Sequence, residues 1–360
     1  MHKSNETILE IDLSKLESNF NYLKSKLNSS TEIIAVIKAF AYGHGDVMIA
    51  KKLESLGVKK FWMADFEEGI SLRKNGINSE IIIANPGTKS FEDIIENNLE
   101  VVIHNLRLLK FYGSKKINTS IHVKFNTGMN RYGFDREEME EVITFLKENS
   151  QLKVKSVCTH LSSADDLSKA NITKKQISLF EEISNSFEEK LNLNVKKHLL
   201  NSNGLLHFLN KQFDYVRLGI SLFGSFKNEN LHQVSQLKSV ISQNRNIKKG
   251  SSVGYSAEFI APKNMNISVV PVGYADGFNR RLGSGVGSVF VNNVECPIIG
   301  KICMDSFIID TSNTNCKEGD EVEIFGENNS ILKLAEKINT IPYEIYSTLN
   351  RRIKRVYIGN

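Results

Sequence analysis

From residue 14 to about 218, short apolar runs alternate with stretches of helical periodicity, and this alternation narrows the choice of fold more than any other feature. The runs span 33–37, 61–64, 80–84, 101–104, 120–125, 153–158, 195–200 and 215–218, with helical stretches such as 47–56, 66–75, 91–97 and 137–148 between them. Near-continuous apolar runs of this length suit strands buried on both faces, and intervening helices suit parallel crossover connections. Eight such strands suit a closed βα barrel. A doubly wound open sheet fits the same alternation, but no GxGxxG follows the first run, which counts against its dinucleotide-binding version. Ser90, three residues before Asp93, has capping-box spacing, and Gly76 after Asn75 is a helix stop.

The rhythm changes after Gly224. Short alternating runs at 239–247, 267–272, 289–291, 298–299, 307–309 and 322–325 are separated by turn signals such as Lys249-Gly250 and Glu318-Gly319-Asp320. That pattern predicts a mostly antiparallel β domain, with helices near 332–337 and 343–349 before a last strand at 353–358. An early strand at 7–13 is assigned to neither half by pattern alone. The net charge of +5 is modest for 360 residues and its signs are interleaved, so nucleic-acid or anionic-membrane binding is not indicated. No apolar run reaches membrane-spanning length and the first residues lack a signal-peptide core, so a cytoplasmic location is expected. Cys158, Cys296, Cys303 and Cys316 form no CxxC pair and read as free thiols.

Chemistry-bearing residues fall where the expected strands end. Lys38 follows the run 33–37 and precedes Tyr42-Gly43-His44-Gly45; a poorly solvated lysine there is set up to lose its proton and attack a carbonyl. Lys124 closes the strand that leads into Asn126-Thr127-Gly128, with Arg131 on the following loop as a two-pronged donor for a carboxylate. His160, after 153–158, is a candidate proton handler or orienting group. Asn201-Ser202-Asn203-Gly204 opens a helix whose N–H groups and serine hydroxyl suit a phosphate, and Arg217-Leu218-Gly219-Ile220 supplies a second glycine loop at the eighth strand. The β half contributes Val253-Gly254-Tyr255-Ser256, Gly273-Tyr274-Ala275-Asp276 and Cys303-Met304-Asp305. No HExxH, GxSxG, P-loop or metal-ligand spacing occurs, so no metal is expected.

The stretch Ala35-Val36-Ile37-Lys38-Ala39-Phe40-Ala41-Tyr42-Gly43-His44-Gly45 resembles the pyridoxal-phosphate lysine motif of bacterial alanine racemases, and the resemblance runs from about residue 7 to 358 with most motifs in order. It implies a (βα)8 TIM-type barrel over residues 10–230. A β domain over 231–360, joined by the N-terminal strand 1–9, would contribute to the active site of the partner subunit in a homodimer. It implies pyridoxal 5'-phosphate as an internal aldimine on Lys38, with Tyr42, Ser202, Gly219, Ile220 and Tyr343 at the phosphate and Arg217 at the pyridine nitrogen. His160 would lie between Arg217 and the catalytic Tyr255, which the partner supplies along with Met304 and Asp305. Arg131 and the backbone of Met304 would bind the substrate carboxylate, a carbamylated Lys124 would steady Arg131, and Tyr274, Arg280 and Asp165 would line the substrate's approach. The implied activity interconverts L- and D-alanine through an external aldimine with Lys38 and Tyr255 as opposed bases, supplying D-alanine for peptidoglycan.

Several positions depart from the family pattern. Phe40 replaces an asparagine, Asn126 an aspartate, Leu218 a proline and Phe223 a tyrosine. Asn126 removes a negative charge two residues from Lys124, which weakens the expectation of a carbamate. Alternatives are a same-fold racemase of serine or a broader amino-acid set, a pyridoxal-phosphate decarboxylase, and a non-catalytic carrier of the cofactor. Arg217 speaks against the decarboxylase, and the second domain with Tyr255 against the carrier.

Overall fold

A computed structural model describes residues 6–359. The chain forms two compact units: Phe20–Ala41 with Asp46–Leu222, and the chain through Asn19 with Tyr42–Gly45 and the residues from Phe223 onward.

The first unit is a nearly closed parallel barrel whose strands lie side by side in chain order. They are Glu32–Val36, Lys60–Met63, Glu80–Ile83, Glu100–Ile103, Thr119–Lys124, Leu152–Cys158, Lys196–His198 and Tyr215–Leu218, and the last pairs back onto the first. Between Lys196–His198 and Tyr215–Leu218 the ring is spanned by the backbone bond from Arg217 N–H to the Leu200 carbonyl, 2.9 Å. The apolar runs become strands because both faces are covered. Ile81, Ile82 and Ile83 are all fully buried, and Ile34, Trp62, Ile82, Val102 and Cys158 pack together as one core cluster.

Helices connect the strands. Ala170–Leu191 buries Ile177, Phe180, Ile183 and Phe187 at helical spacing, and ends where Asn192 turns left-handed. Asp65 caps Phe66–Lys74 through Glu68 N–H, and Asn105 caps Leu106–Ser114 through Leu108 N–H. The capping box expected at Ser90 does not form. Ser90 precedes the helix Phe91–Glu96, but its side chain accepts from no first-turn N–H; its hydroxyl donates back to the Pro86 carbonyl instead.

The second unit carries a nine-stranded sheet in the order Gln243–Ile247, Met265–Val270, Phe307–Asp310, Val294–Ile299, Ser288–Val291, Glu321–Phe325, Ser235–Val240, Ile8–Asp12, Lys354–Ile358. Its ladders are antiparallel except Ile8–Asp12 with Lys354–Ile358. The run expected as one strand over 239–247 is two strands. The chain turns at Ile241 and Ser242, whose N–H groups go to the Asp320 and Val269 carbonyls. Among the described residues no helix is long and apolar enough to cross a membrane.

Candidate active site

Beyond Val36 the chain does not enter an ordinary helix. Lys38–Tyr42 coils left-handed, with φ of 54° at Ala39, 57° at Phe40, 51° at Ala41 and 51° at Tyr42. Each non-glycine residue in that region costs about 1–2 kcal/mol, so the turn must be held from outside. Glu68 holds it: its carboxylate accepts from Ala39 N–H at 2.6 Å and from Ala64 N–H at 2.8 Å. The turn places Lys38 at the C-terminal end of the barrel, still in contact with solvent. Crowding, and then the charge of Arg131, pull its ammonium below its usual value against the opposing pull of Glu68.

The other barrel residues singled out from the sequence converge on the same end. Lys124 is brought down to about 8 by burial, with Arg217, Arg131 and Lys38 adding to the effect. Burial and the charges of Arg217, Lys124, Arg131 and Lys38 hold His160 well below its ordinary value, so it is neutral. Arg131 lies exposed on the loop after Thr119–Lys124. Asn126 knits that loop: its amide donates to Asn130 Oδ1 and Asp135 Oδ1, both at 2.9 Å, and its oxygen accepts from Gly128 and Asn130 N–H. An aspartate could not donate to Asp135, so Asn126 and Asp135 make a matched pair. Gly133 is needed where the loop returns, since a Cβ there would lie 2.4 Å from Asn126 N.

Arg217 is buried and held by neutral acceptors. It donates to the Thr159 carbonyl at 2.7 Å, the Leu199 carbonyl at 3.2 Å, His160 Nδ1 at 3.1 Å and His198 Nδ1 at 2.5 Å. Among the described residues no carboxylate contacts it. Nearby, Asn201 caps the helix Ser202–His207, and Ser202 Oγ accepts from Gly219 N–H at 3.1 Å, Ser221 N–H at 3.4 Å and Ser221 Oγ–H at 2.9 Å. Ile220 is buried between those two donors in sequence. Lys38, Lys124, Arg131, His160, Arg217, Ser202, Gly219 and Ile220 thus occupy one end of one barrel, whose cations outnumber its nearby acids. Asp165 is exposed on the loop after Leu152–Cys158.

In the second unit Tyr42 packs its ring 5.6 Å from Phe223 and 5.7 Å from Tyr343. Phe223 also stacks on His44 at 4.2 Å, a contact that needs the ring and not the hydroxyl of the expected tyrosine. Tyr255, Tyr274 and Met304 are exposed, at 67%, 44% and 54%. Tyr255 opens a short turn in which Ser256 and Ala257 have φ of 60° and 48°. Ala275 N–H donates to the Met304 carbonyl, and Gly273 lets the two loops pass, since a Cβ on it would lie 2.2 Å from that oxygen. Arg352 bridges Asp276 at 2.6 Å and Asp305 at 2.7 Å, and Arg280 donates to the Ile302 carbonyl at 3.4 Å. Sequence reasoning missed Glu68, and it missed the buried polar residues Glu100, Ser156 and His198; their only signal is a polar letter inside or beside an apolar strand run. Among the described residues no group of three metal-ligating side chains occurs.

Comparison with known proteins agrees along the whole chain. Residues 11–227 match the family described as alanine racemase, N-terminal domain, and 234–357 the alanine racemase, C-terminal domain. The alanine racemase of Fusobacterium nucleatum is 37% identical over 98% of this chain and 99% of its own length. Among solved structures, the alanine racemase of Clostridium difficile 630 superposes with a TM-score of 0.92 at 31% identity, covering 99% of this chain and 96% of that one. The alanine racemase of Bartonella henselae, described with covalently bound pyridoxal phosphate, superposes with a TM-score of 0.89 at 29% identity over 98% of this chain and 99% of its own.

Proposed function

The chain belongs to the alanine racemase family, and from that premise we propose that it interconverts L- and D-alanine with pyridoxal 5'-phosphate as cofactor, as a homodimer with shared active sites. The observation that carries the reading is the barrel end itself, where a lysine of lowered proton affinity stands among Arg131, Lys124 and an arginine held by neutral acceptors.

The residues present suit the cofactor. Three donors, Gly219 N–H, Ser221 N–H and Ser221 Oγ–H, converge on Ser202 Oγ, the donor set an anionic oxygen needs. Ser202, Gly219 and Ile220 would hold the phosphate, and the family pattern adds Tyr42 and Tyr343. When bound, pyridoxal phosphate supplies an aldehyde for an amine and an electron sink that acidifies the α-carbon of an amino acid. Lys38 Nζ, whose hold on its proton the surroundings weaken, is the base for the α-proton of D-alanine. Tyr255 Oη of a second copy serves the opposite face, and its exposure together with Tyr274 and Met304 fits a surface that a second copy covers. Arg217, a donor only, would face the ring nitrogen of the bound cofactor and leave that nitrogen without a proton, which would favour proton return over side reactions. His160, neutral and accepting from Arg217 at Nδ1, carries its proton on Nε2 and is free to donate it toward the tyrosine. Arg131 takes the substrate carboxylate, with the Met304 backbone as a second donor. Lys124 and Asp305 support these groups, and Tyr274 lines the approach.

Chiral analysis of the purified chain, incubated with L-alanine or L-serine with and without added cofactor, tests the reading. Cofactor-dependent formation of D-alanine is expected. The Lys38→Ala variant should form none and lose the cofactor adduct that borohydride traps in the parent. No D-alanine from the parent, or a trapped adduct on another lysine in the variant, counts against it.

A further inference from the structure

A continuous line of hydrogen bonds crosses the barrel interior behind Arg217. Arg217 Nη1 meets His198 Nδ1 at 2.5 Å, and His198 Nε2 meets Ser156 Oγ at 2.9 Å. Ser156 Oγ in turn meets His122 Nδ1 at 2.7 Å, and His122 Nε2 meets Glu100 Oε2 at 2.9 Å. His122, Ser156 and His198 are at most 1% exposed, Arg217 4% and Glu100 8%.

Donor chemistry fixes the direction of every bond. A guanidinium only donates, so His198 Nδ1 accepts and its proton sits on Nε2. That proton goes to Ser156 Oγ. The serine has one hydrogen of its own, and His122 Nδ1 is the acceptor available for it. His122 must then carry its proton on Nε2, where the Glu100 carboxylate accepts it. Were His122 doubly protonated, both rings would donate to Ser156 and its hydroxyl hydrogen would be stranded in a dry interior, a cost of about 1–3 kcal/mol. The surroundings agree: burial and the charges of Arg217 and Lys124 keep His198 neutral, while the hydrogen bond from His122 and the charges of Lys155 and Lys60 favour the ionised Glu100.

We propose that Glu100, His122, Ser156 and His198 form a positioning relay that fixes both histidines as neutral Nε2–H tautomers, so that His198 presents a lone pair to Arg217. The relay anchors the guanidinium without neutralising it by contact. A carboxylate placed directly on Arg217 would pair its charge; here the carboxylate stands beyond two imidazoles and a hydroxyl, and Arg217 keeps its donors for Thr159, Leu199, His160 and the group in front of it. Why that anchoring matters for catalysis rests on the racemase reading; the tautomers do not.

Long-range proton–nitrogen correlation spectra of the histidine rings, recorded on the chain without cofactor and assigned with His122→Asn and His198→Asn, read the proton positions directly. Both rings are expected as neutral Nε2–H forms at pH 7.5. Ser156→Ala removes the donor to His122 Nδ1 and should move that ring's proton equilibrium. In the loaded enzyme it should lower kcat for L-alanine about tenfold while KM changes less, in line with losing the group behind a positioned histidine. Ser156→Thr, which keeps the hydroxyl, should restore both. Glu100→Leu breaks the other end and should act in the same two ways if Ser156→Ala does not fold. A wild-type ring with its proton on Nδ1 overturns the relay. So do breaks that lower kcat without moving a ring proton, move one without lowering kcat, or do neither. If the loaded wild type lacks racemase activity, the functional reading fails and the spectra alone decide the relay.

Discussion

At Lys124 the balance between stability and function can be measured. Its ammonium is brought down to about 8 from 10.5. Below pH 8 both the folded and the unfolded chain carry the proton, and the folded chain bears the full cost of the confined charge. As the pH rises from about 8 toward 10.5 the folded chain has released a proton that the unfolded chain still binds, so stability rises with pH. Lys124→Met removes the charge and keeps the length. Urea unfolding should find the variant about 1–3 kcal/mol more stable at pH 7, with the gap narrowing by pH 10. A carbamate on Lys124 reverses the sign, because the substitution then deletes an anion lodged among Arg131, Arg217 and Lys38. Asn126 does not supply that anion: its amide is spent on Asn130 and Asp135.

The Lys38–Tyr42 turn is the element on which the site depends, and its strain is open to test. Ala39, exposed with φ 54°, gains from losing its Cβ, while glycine gives back part of that in flexibility. Ala39→Gly should therefore stabilise the chain by about 0.5–1 kcal/mol in urea unfolding. Ala39→Pro should cost about 3 kcal/mol or more, since it forbids the positive φ and deletes the N–H that Glu68 accepts. Nothing in Ala39-Phe40-Ala41 announces a left-handed turn, because alanine favours an ordinary helix. The conformation comes from a carboxylate 29 residues away in sequence, which no local pattern reveals. The barrel strands were legible for the opposite reason. A parallel strand covered on both faces must be apolar throughout, and 33–37 or 80–84 advertise this in their letters; Glu32–Val36 and Glu80–Ile83 follow within a residue. In the β half, one run at 239–247 concealed two strands because the turn at Ile241-Ser242 contains no glycine, proline or asparagine. Ser156 and His198 were invisible as site residues, since their role lies in partners on neighbouring strands.

On the scale of the whole molecule, the proposal of shared sites makes a prediction that single variants cannot. Lys38 belongs to the barrel unit and Tyr255 to the β unit. If each site joins Lys38 of one copy to Tyr255 of the other, Lys38→Ala and Tyr255→Phe should each abolish racemisation in a homodimer, because both of its sites carry the same lesion. In a mixed dimer the two-fold axis sorts the lesions: one site receives both, and the other combines an intact Lys38 with an intact Tyr255. Random reassortment of equal amounts makes about half the dimers mixed, each with one working site, so co-refolding two inactive proteins should recover about a quarter of wild-type activity. The recovery should need unfolding or slow subunit exchange, and should track the amount of mixed dimer isolated through two different affinity tags. Tyr255→Phe keeps the ring and removes only the hydroxyl, so it leaves intact the apolar surface that pairing would cover. Purified mixed dimers as inactive as their parents would place Lys38 and Tyr255 of the same chain in one site, and the exposed Tyr255, Tyr274 and Met304 would then need another partner.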